Sequence, residues 1–436
     1  IAKYFLHGFF PAPYSPYKEI RQLEPGSYIK IDLKNFNYTK KFYWDISSGP
    51  DYNLFFSRTN ENSEFPKIFE KIIKNYSIAD KNLALSLSGG LDSYLISYFF
   101  SQHINKTTSF SLGFEEKSYD ETKIIKDLKI NLNKKIFKKN NEDLKKTFKY
   151  LSGLKSEPVG DSSLIPTYLL FEQIKKFSNV ALSGDGGDEN FFGYIIFDGY
   201  KLASILKKFI PKSVVRLINF LLSPIKISDE YMSQSRKIKT FFKGINSDYD
   251  EMLTIWISTL DIEDIEKNLK IKIDKDILFS EIKKLYNNCP DKMKFAQLYM
   301  FKFYLPTILI KIDQASMLNS VESRSPFLSK LIINYSLEQD SKKLYKIFSK
   351  KLFLFSTFKK IIPNIIKKSK KHGFAIKKEN ILRDQNLIKN MISENDLINK
   401  DFFYEKYNKF LKNSGNYSNY LWHEIVLNNF FKSNKN

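Results

Sequence analysis

The sequence predicts an α/β fold: a mostly parallel sheet, a large helical portion after it and a short β-rich segment before it. Three observations lead there. Between residues 65 and 182, short apolar runs of strand length alternate with stretches of helical periodicity. Two of those runs, 83–87 and 179–182, break into glycine-rich turns that lead into further helix. From 195 to 300 the pattern is mainly helical, with no recognisable chemistry.

Taken in order, residues 1–48 hold Pro11, Pro13 and Pro16, the turn Glu24-Pro25-Gly26, and strand-like runs at 27–32 and 41–44. That is too little for a domain and reads as the end of a β-rich one. A linker at 49–62 contains Gly49-Pro50 on its near side and yields to a unit spanning 63–436. Ile68, Ile72 and Ile73 mark a helix before the 83–87 strand, and Leu95, Ile96, Phe99 and Phe100 mark one after it. Strands at 107–114, 135–137 and 179–182 alternate with helices at 120–128, 142–151 and 166–177. The sheet-forming core is 80–194 and the helical portion 195–436. Such alternation implies right-handed crossovers, and ligands of such sheets sit outside the carboxyl ends of the strands. Ser88, Leu112 and Ser183 all fall there.

The stretch 83–93, LALSLSGGLDS, organises the rest. Gly89 and Gly90 carry no Cβ, so the backbone can approach a bulky anion, and the first turn of the following helix points its free N–H groups at it. No lysine follows, which excludes a Walker A loop. Asp92 instead sets a carboxylate beside the proposed phosphate site, and two adjacent anions call for a cation, with Mg2+ the natural one. The turn at 183–189, SGDGGDE, repeats the pattern about ninety residues later, with glycines for backbone contact and acids for metal ligation. Each turn alone could be a plain capped loop; two at strand ends of one sheet point to a nucleotide site. Later in the chain, Glu322 and Arg324 could brace a helix end as an ion pair. Lys371, next to Gly373, could close over a transferring phosphoryl group.

Composition sets limits. A chain of 436 residues suggests more than one compact unit, and 42% hydrophobic residues suffice for globular folding. No apolar run approaches the roughly 18 residues that cross a bilayer, and no signal segment opens the chain, so a cytoplasmic protein without membrane attachment is expected. Cys289 is the only cysteine, which excludes an internal disulfide, a CxxC pair and a thiolate-built zinc site. The four histidines show no metal-ligand spacing. The net charge of +22 could attract nucleic acid, but the lysines are spread over the whole chain and argue against it as the main partner.

Taken together, these stretches resemble the glutamine-dependent asparagine synthetases, whose ATP site is a PP-loop. SGGLDS at 88–93 is similar to that loop, and SGDGGDE with Phe192-Gly193-Tyr194 to the family's SGEG-x-DE-x-FGGY segment. LPTILIKIDQASMLNSVESRSPFL at 305–328 resembles the family's LP…KVDR-S…E-x-R-x-PFLD helix, and Lys371-His372-Gly373-Phe374 its K-x-GF loop. Residues 7–32 resemble the last part of the N-terminal glutaminase domain, an amidotransferase of type 2, so 1–48 would be its C-terminal remnant.

The resemblance implies that ATP adenylates the side-chain carboxylate of aspartate with release of pyrophosphate, and that ammonia, normally from glutamine, then displaces AMP. It implies that Ser88, Gly89, Gly90, Asp92 and Ser93 hold the pyrophosphate, and that Asp92 and Asp188 bind Mg2+. Leu87, Leu112, Ser183 and Gly184 would form the adenosine pocket. Lys371 would stabilise charge at the α-phosphate and Asp185 would face the acyl centre as a proton acceptor. Asp120, Asp161, Glu322 and Arg324 are candidates for substrate contact or for bracing the fold. A homodimer is an expected assembly.

Several positions depart from the family. Asp185 stands for a Glu, Gln314 for an Arg and Ser329 for an Asp. The glutaminase nucleophile is an N-terminal Cys, whereas this sequence opens at Ile1, so most of that domain is expected to be missing from it. Relatives of the family amidate sugar or peptide carboxylates or close β-lactam rings, which keeps another acceptor open. A tRNA-modifying PP-loop protein is the third reading, sharing SGG-x-DS but not the segments at 321–327 and 371–374.

Overall fold

A computed structural model describes residues 1–46, 64–104, 107–225, 233–289, 291–369, 374–392, 399–415 and 417–434. Its centre is a five-stranded sheet, with strands β3 (Leu83–Ser86), β4 (Thr108–Phe114), β5 (Asn133–Lys139), β6 (Val180–Leu182) and β7 (Glu322–Arg324) in the order β5-β4-β3-β6-β7. Every neighbouring pair is parallel, with Ala84 beside Thr108 and Ala181 in register. A separate antiparallel hairpin, β1 (Ser27–Ile31) and β2 (Tyr38–Phe42), lies near the amino end.

The period of two along a strand divides the core into two layers. Leu85 and Leu182 face one layer, with α2 (Phe65–Tyr76) and α3 (Leu91–His103); Phe69 and Phe99 meet there edge to face at 5.5 Å. Ala84 and Ala181 face the other, with the helices Asn141–Ser152 and Leu164–Lys175 and, near the end of the chain, Ser418–Ser433. Trp422 of that last helix stacks on Phe148 at 4.1 Å. Both faces being covered explains why β4 is buried along its whole length and reads as a continuous apolar and hydroxyl run.

Three sequence expectations change. The third strand runs from 133 to 139 rather than 135–137, because its half-exposed lysines hid a strand that pairs with β4 throughout. The 305–328 stretch is α-helical only at Leu305–Met317; Glu322–Arg324 is the edge strand β7, held by the Ser183 N–H donating to the Arg324 carbonyl at 2.9 Å, and Pro326–Leu328 is a short 3-10 turn. The amino segment opens with a helix, α1 (Ala2–His7), whose Tyr4, Phe5 and Leu6 insert into the second layer. The hairpin differs: Leu33 and Phe36 at its tip are 81% and 76% exposed. The expected linker lies outside the described residues, which stop at 46 and resume at 64. The 195–300 portion is helical, from Ile195–Leu206 to Lys292–Tyr299.

Candidate active site

The carboxyl ends of β3, β4 and β6 open into one cavity of about 1200 Å3. The first loop is closed by Ser93, whose hydroxyl accepts from the Ser88 N–H at 3.1 Å and lies 3.0 Å from the Ser88 hydroxyl. Gly90 is the N-cap of α3 in extended conformation, which turns the chain from strand to helix and places Asp92 in the first turn. Leu87 continues the ladder through its N–H to the Phe110 carbonyl, and the Ser111 hydroxyl donates to the Leu87 carbonyl at 2.7 Å.

The second loop packs against the first at close range. A Cβ at Gly184 would lie 2.9 Å from the Ser93 nitrogen, and one at Gly187 would lie 2.6 Å from Asp92 Cγ. Only glycine lets the two backbones approach this far. Gly186 has φ +91°, the left-handed region, and caps the short turn 187–190. Buried Asn190 fastens the turn by donating to the Gly186 and Phe327 carbonyls at 2.8 and 2.9 Å. The Tyr194 hydroxyl donates to Glu189 at 2.8 Å.

Asp92 and Asp188 meet at a single cation position, which the Lys351 ammonium fills. Its Nζ lies 2.7 Å from Asp188 Oδ1 and also bonds Asp92 Oδ2. Burial by itself would lower the pKa of this ammonium, but the facing charges of Asp188 and Asp92 overcome that and hold it above the ordinary lysine value. Sequence reasoning missed Lys351. It is one of 70 lysines and arginines, and nothing in its neighbours distinguishes it.

The cavity brings together Leu87, Ser88, Gly90, Asp92, Ser93, Leu112, Asp161, Ser183, Gly184, Asp185 and Asp188. Gly89 sits in the same loop, its N–H donating to Glu121 at 3.0 Å. Asp161 lies 3.6 Å from Lys311, whose Nζ also donates to Ser163 at 3.0 Å. Burial pushes the Asp161 carboxyl up, but the Lys311 charge and the Ser163 N–H outweigh it and hold the pKa below the usual value. Lys311, which the sequence showed only as part of the 305–328 stretch and without a role of its own, also lines the cavity.

Three candidates lie away from the cavity. Asp120 accepts from the Thr122 N–H at 3.1 Å and its hydroxyl at 2.9 Å, so it braces the start of a helix while its neighbour Glu121 faces the loop. Arg324 donates to Glu322 at 2.7 Å and to the carbonyls of Tyr76 and Ile78 at 3.0 and 2.7 Å. Glu322 and Arg324 therefore form the ion pair expected of them, and Arg324 ties the sheet edge to the carboxyl end of α2. Lys371 lies outside the described residues; Ser369 and Phe374 on either side of it line the cavity. Of the departures, Ser329 caps the helix Lys330–Glu338 by accepting from Ile332 N–H, and Gln314 donates to the Glu157 carbonyl at 2.6 Å.

Among the described residues no three His, Cys, Asp or Glu side chains cluster as a metal site. A cation held by Asp92 and Asp188 would thus take two protein carboxylates and complete its shell from a ligand. That donor set suits Mg2+, which commonly binds through one or two carboxylates plus substrate phosphates.

The asparagine synthase family matches this chain over residues 64–431. The chain belongs to that family. Similar proteins include a putative glutamine-hydrolysing asparagine synthetase 2 of Methanocaldococcus jannaschii, 31% identical over 72% of this chain and 60% of that protein. The glutamine-hydrolysing asparagine synthetase 1 of Bacillus subtilis is 23% identical over 98% of this chain and 67% of its own length. A putative synthetase of Mycobacterium bovis is 25% identical over 43% of this chain and 29% of its own. The chain thus spans about three-fifths to two-thirds of the length of the first two relatives. Among the described residues no helix is long and apolar enough to cross a membrane.

Proposed function

We propose that this chain carries out ATP-dependent synthesis of asparagine. An oxygen of the aspartate side-chain carboxylate attacks the α-phosphorus of ATP, the bond to the β-phosphate breaks, and pyrophosphate leaves. Ammonia nitrogen then attacks the acyl carbon, the carbon–oxygen bond to AMP breaks, and the amide loses a proton. The observation that carries this reading is the meeting of Asp92 and Asp188, from two strand-end loops, at one cation position on the cavity wall.

Within that reading, Ser88, Gly89, Gly90 and Ser93 bind the pyrophosphate portion through loop N–H groups and hydroxyls, aided by the N-terminus of α3. Leu87, Leu112, Ser183 and Gly184 receive the adenosine, and Asp92 and Asp188 hold Mg2+. The metal would supply positive charge where pyrophosphate negativity develops. Asp185 takes the proton from the attacking nitrogen, and Lys371 offsets charge at the α-phosphate. The nitrogen comes from glutamine through an amidotransferase domain seated on the exposed apolar hairpin β1–β2; the relatives named glutamine-hydrolysing, longer than this chain, support that part. A cytoplasmic setting goes with it.

The test is pyrophosphate release from ATP with aspartate, and asparagine formation when ammonium is added. Release that requires aspartate, and amide that requires ammonium, are the expected results. Folded protein that releases pyrophosphate with another carboxylate and not aspartate would move the acceptor; no release with any would overturn the reading.

A further inference from the structure

Lys351 is an uncommon residue for its place. It is buried, it caps the helix Leu352–Thr357, and its φ of +51° lies in the left-handed region. Such a backbone is strained for a non-glycine residue, so the surrounding structure must hold it there. The ammonium stands where two carboxylates would otherwise share a divalent cation. Gly193 leaves room for it: a Cβ there would overlap both Asp188 Oδ1 and Lys351 Cε.

The anion position of the same site is filled in the same manner. The Gly89 N–H, a donor suited to a phosphate oxygen, is taken by Glu121 Oε2 at 3.0 Å. Among the described residues, the loops thus meet the Lys351 ammonium at the carboxylate pair and the Glu121 carboxylate at the Gly89 N–H.

We infer that the chain's own groups occupy the ligand positions of this site: Lys351 stands in for the divalent cation and Glu121 for a phosphate oxygen, so that metal binds well only together with nucleotide. A metal ion arriving alone must expel an ammonium from two carboxylates and leave it without a counter-charge in a buried setting. Arriving with a polyphosphate, it brings new anionic partners for that ammonium. Metal and nucleotide then each raise the affinity for the other by the same factor. This rests on the nucleotide site proposed above.

Mn2+ binding, read by electron paramagnetic resonance with and without α,β-methylene ATP, tests it. Wild-type protein should bind Mn2+ at least about tenfold more tightly with the analogue present. K351M should bind Mn2+ alone about tenfold more tightly than wild type, and K351M/D188N should lose that gain. E121Q, which leaves the carboxylate pair intact, should bind the analogue without metal several-fold more tightly. If K351M folds only when Mn2+ is added, the inference is supported. It is overturned if K351M gains no affinity, or stays unfolded with Mn2+ while E121Q behaves as wild type. Wild type that binds Mn2+ in neither condition would instead bring down the nucleotide site itself.

Discussion

Two buried sets of ionisable groups show what a counter-charge does. At the strand ends, Lys351 meets Asp92 and Asp188 at contact distance, and the lysine is held more firmly protonated than in water. In the second layer, Glu424 is 1% exposed and is tied to neutral partners: Asn268 donates to it at 2.9 Å, and Tyr420 donates to Asn268. Burial pushes the Glu424 carboxyl up to about 7, and burial pulls the neighbouring His423 down to about 3. Desolvation acts on both sets. Only in the first do carboxylates face an ammonium, and there the charge of the ammonium persists. A set that keeps its charge inside a cavity is equipped to meet a charged ligand; a set that gives up its charge only fills and fastens a core.

The largest expected effect tests the first half of that contrast. D188N leaves the shape of the loop and removes one of the two charges. Pyrophosphate release should fall by about 100- to 1000-fold, the range seen when a single electrostatic stabiliser is removed. E424Q, more deeply buried, should leave kcat/KM for ATP within about twofold, since an isosteric change outside the cavity lining removes no transition-state interaction. Comparable losses in both variants would erase the distinction.

The second effect is on stability, and its sign follows from the direction of the shift. Glu424 has a folded pKa of about 7 against an ordinary value of 4.5. Between those values the folded state keeps a proton that the unfolded state has lost, so stability falls as pH rises through that window. At pH 5 most of the contribution remains, and above pH 7.5 it is gone, a loss on the order of 3 kcal/mol. E424Q cannot ionise and should be more stable than wild type at pH 8 by a similar amount, with the gap closing near pH 4.5. Thermal unfolding across that range checks it. A gap independent of pH would mean that Glu424 stays ionised in the fold.

A smaller effect probes how the charged set is positioned. G187A places a Cβ 2.6 Å from Asp92 Cγ, so the carboxylate must shift from its position beside Lys351. A displacement of that kind should cost about tenfold in pyrophosphate release while D188N costs far more. If G187A matched D188N, position and charge would count equally.

How much of this was legible depends on how local the signal is. The loops at 88–93 and 183–189 could be read because each is a strand end, a glycine turn and an acid in continuous sequence, and each lies where it was expected. Lys351 could not be read: its role comes from meeting Asp92 across 259 positions, in a chain where lysine is common. Asp120 and Glu121 show the same limit at the smallest scale. Both are acids at a helix start, and only packing decides that Asp120 caps the helix while Glu121 faces Gly89. Strand β7 has three residues, two of them charged, and exists because β6 offers an edge to pair with. Helix α1 is six residues long and owes its place to the apolar layer that Tyr4 and Phe5 enter.

The smallest expected effect concerns that edge strand, and it separates bracing from substrate contact. Arg324 spends its donors on Glu322 and on the carbonyls of Tyr76 and Ile78, which tie β7 to the end of α2. The Glu322 side chain is 57% exposed, so water screens the ion pair and the backbone bonds carry most of the effect. R324A should lower stability by about 1 kcal/mol in urea unfolding, the net value of such bonds at a partly exposed site. E322A should lower it by less. Neither should change KM for ATP or aspartate, because neither side chain lines the cavity. A tenfold rise in KM for aspartate in R324A, with stability intact, would show that the arginine reaches the substrate and that the edge of the sheet belongs with the charged set after all.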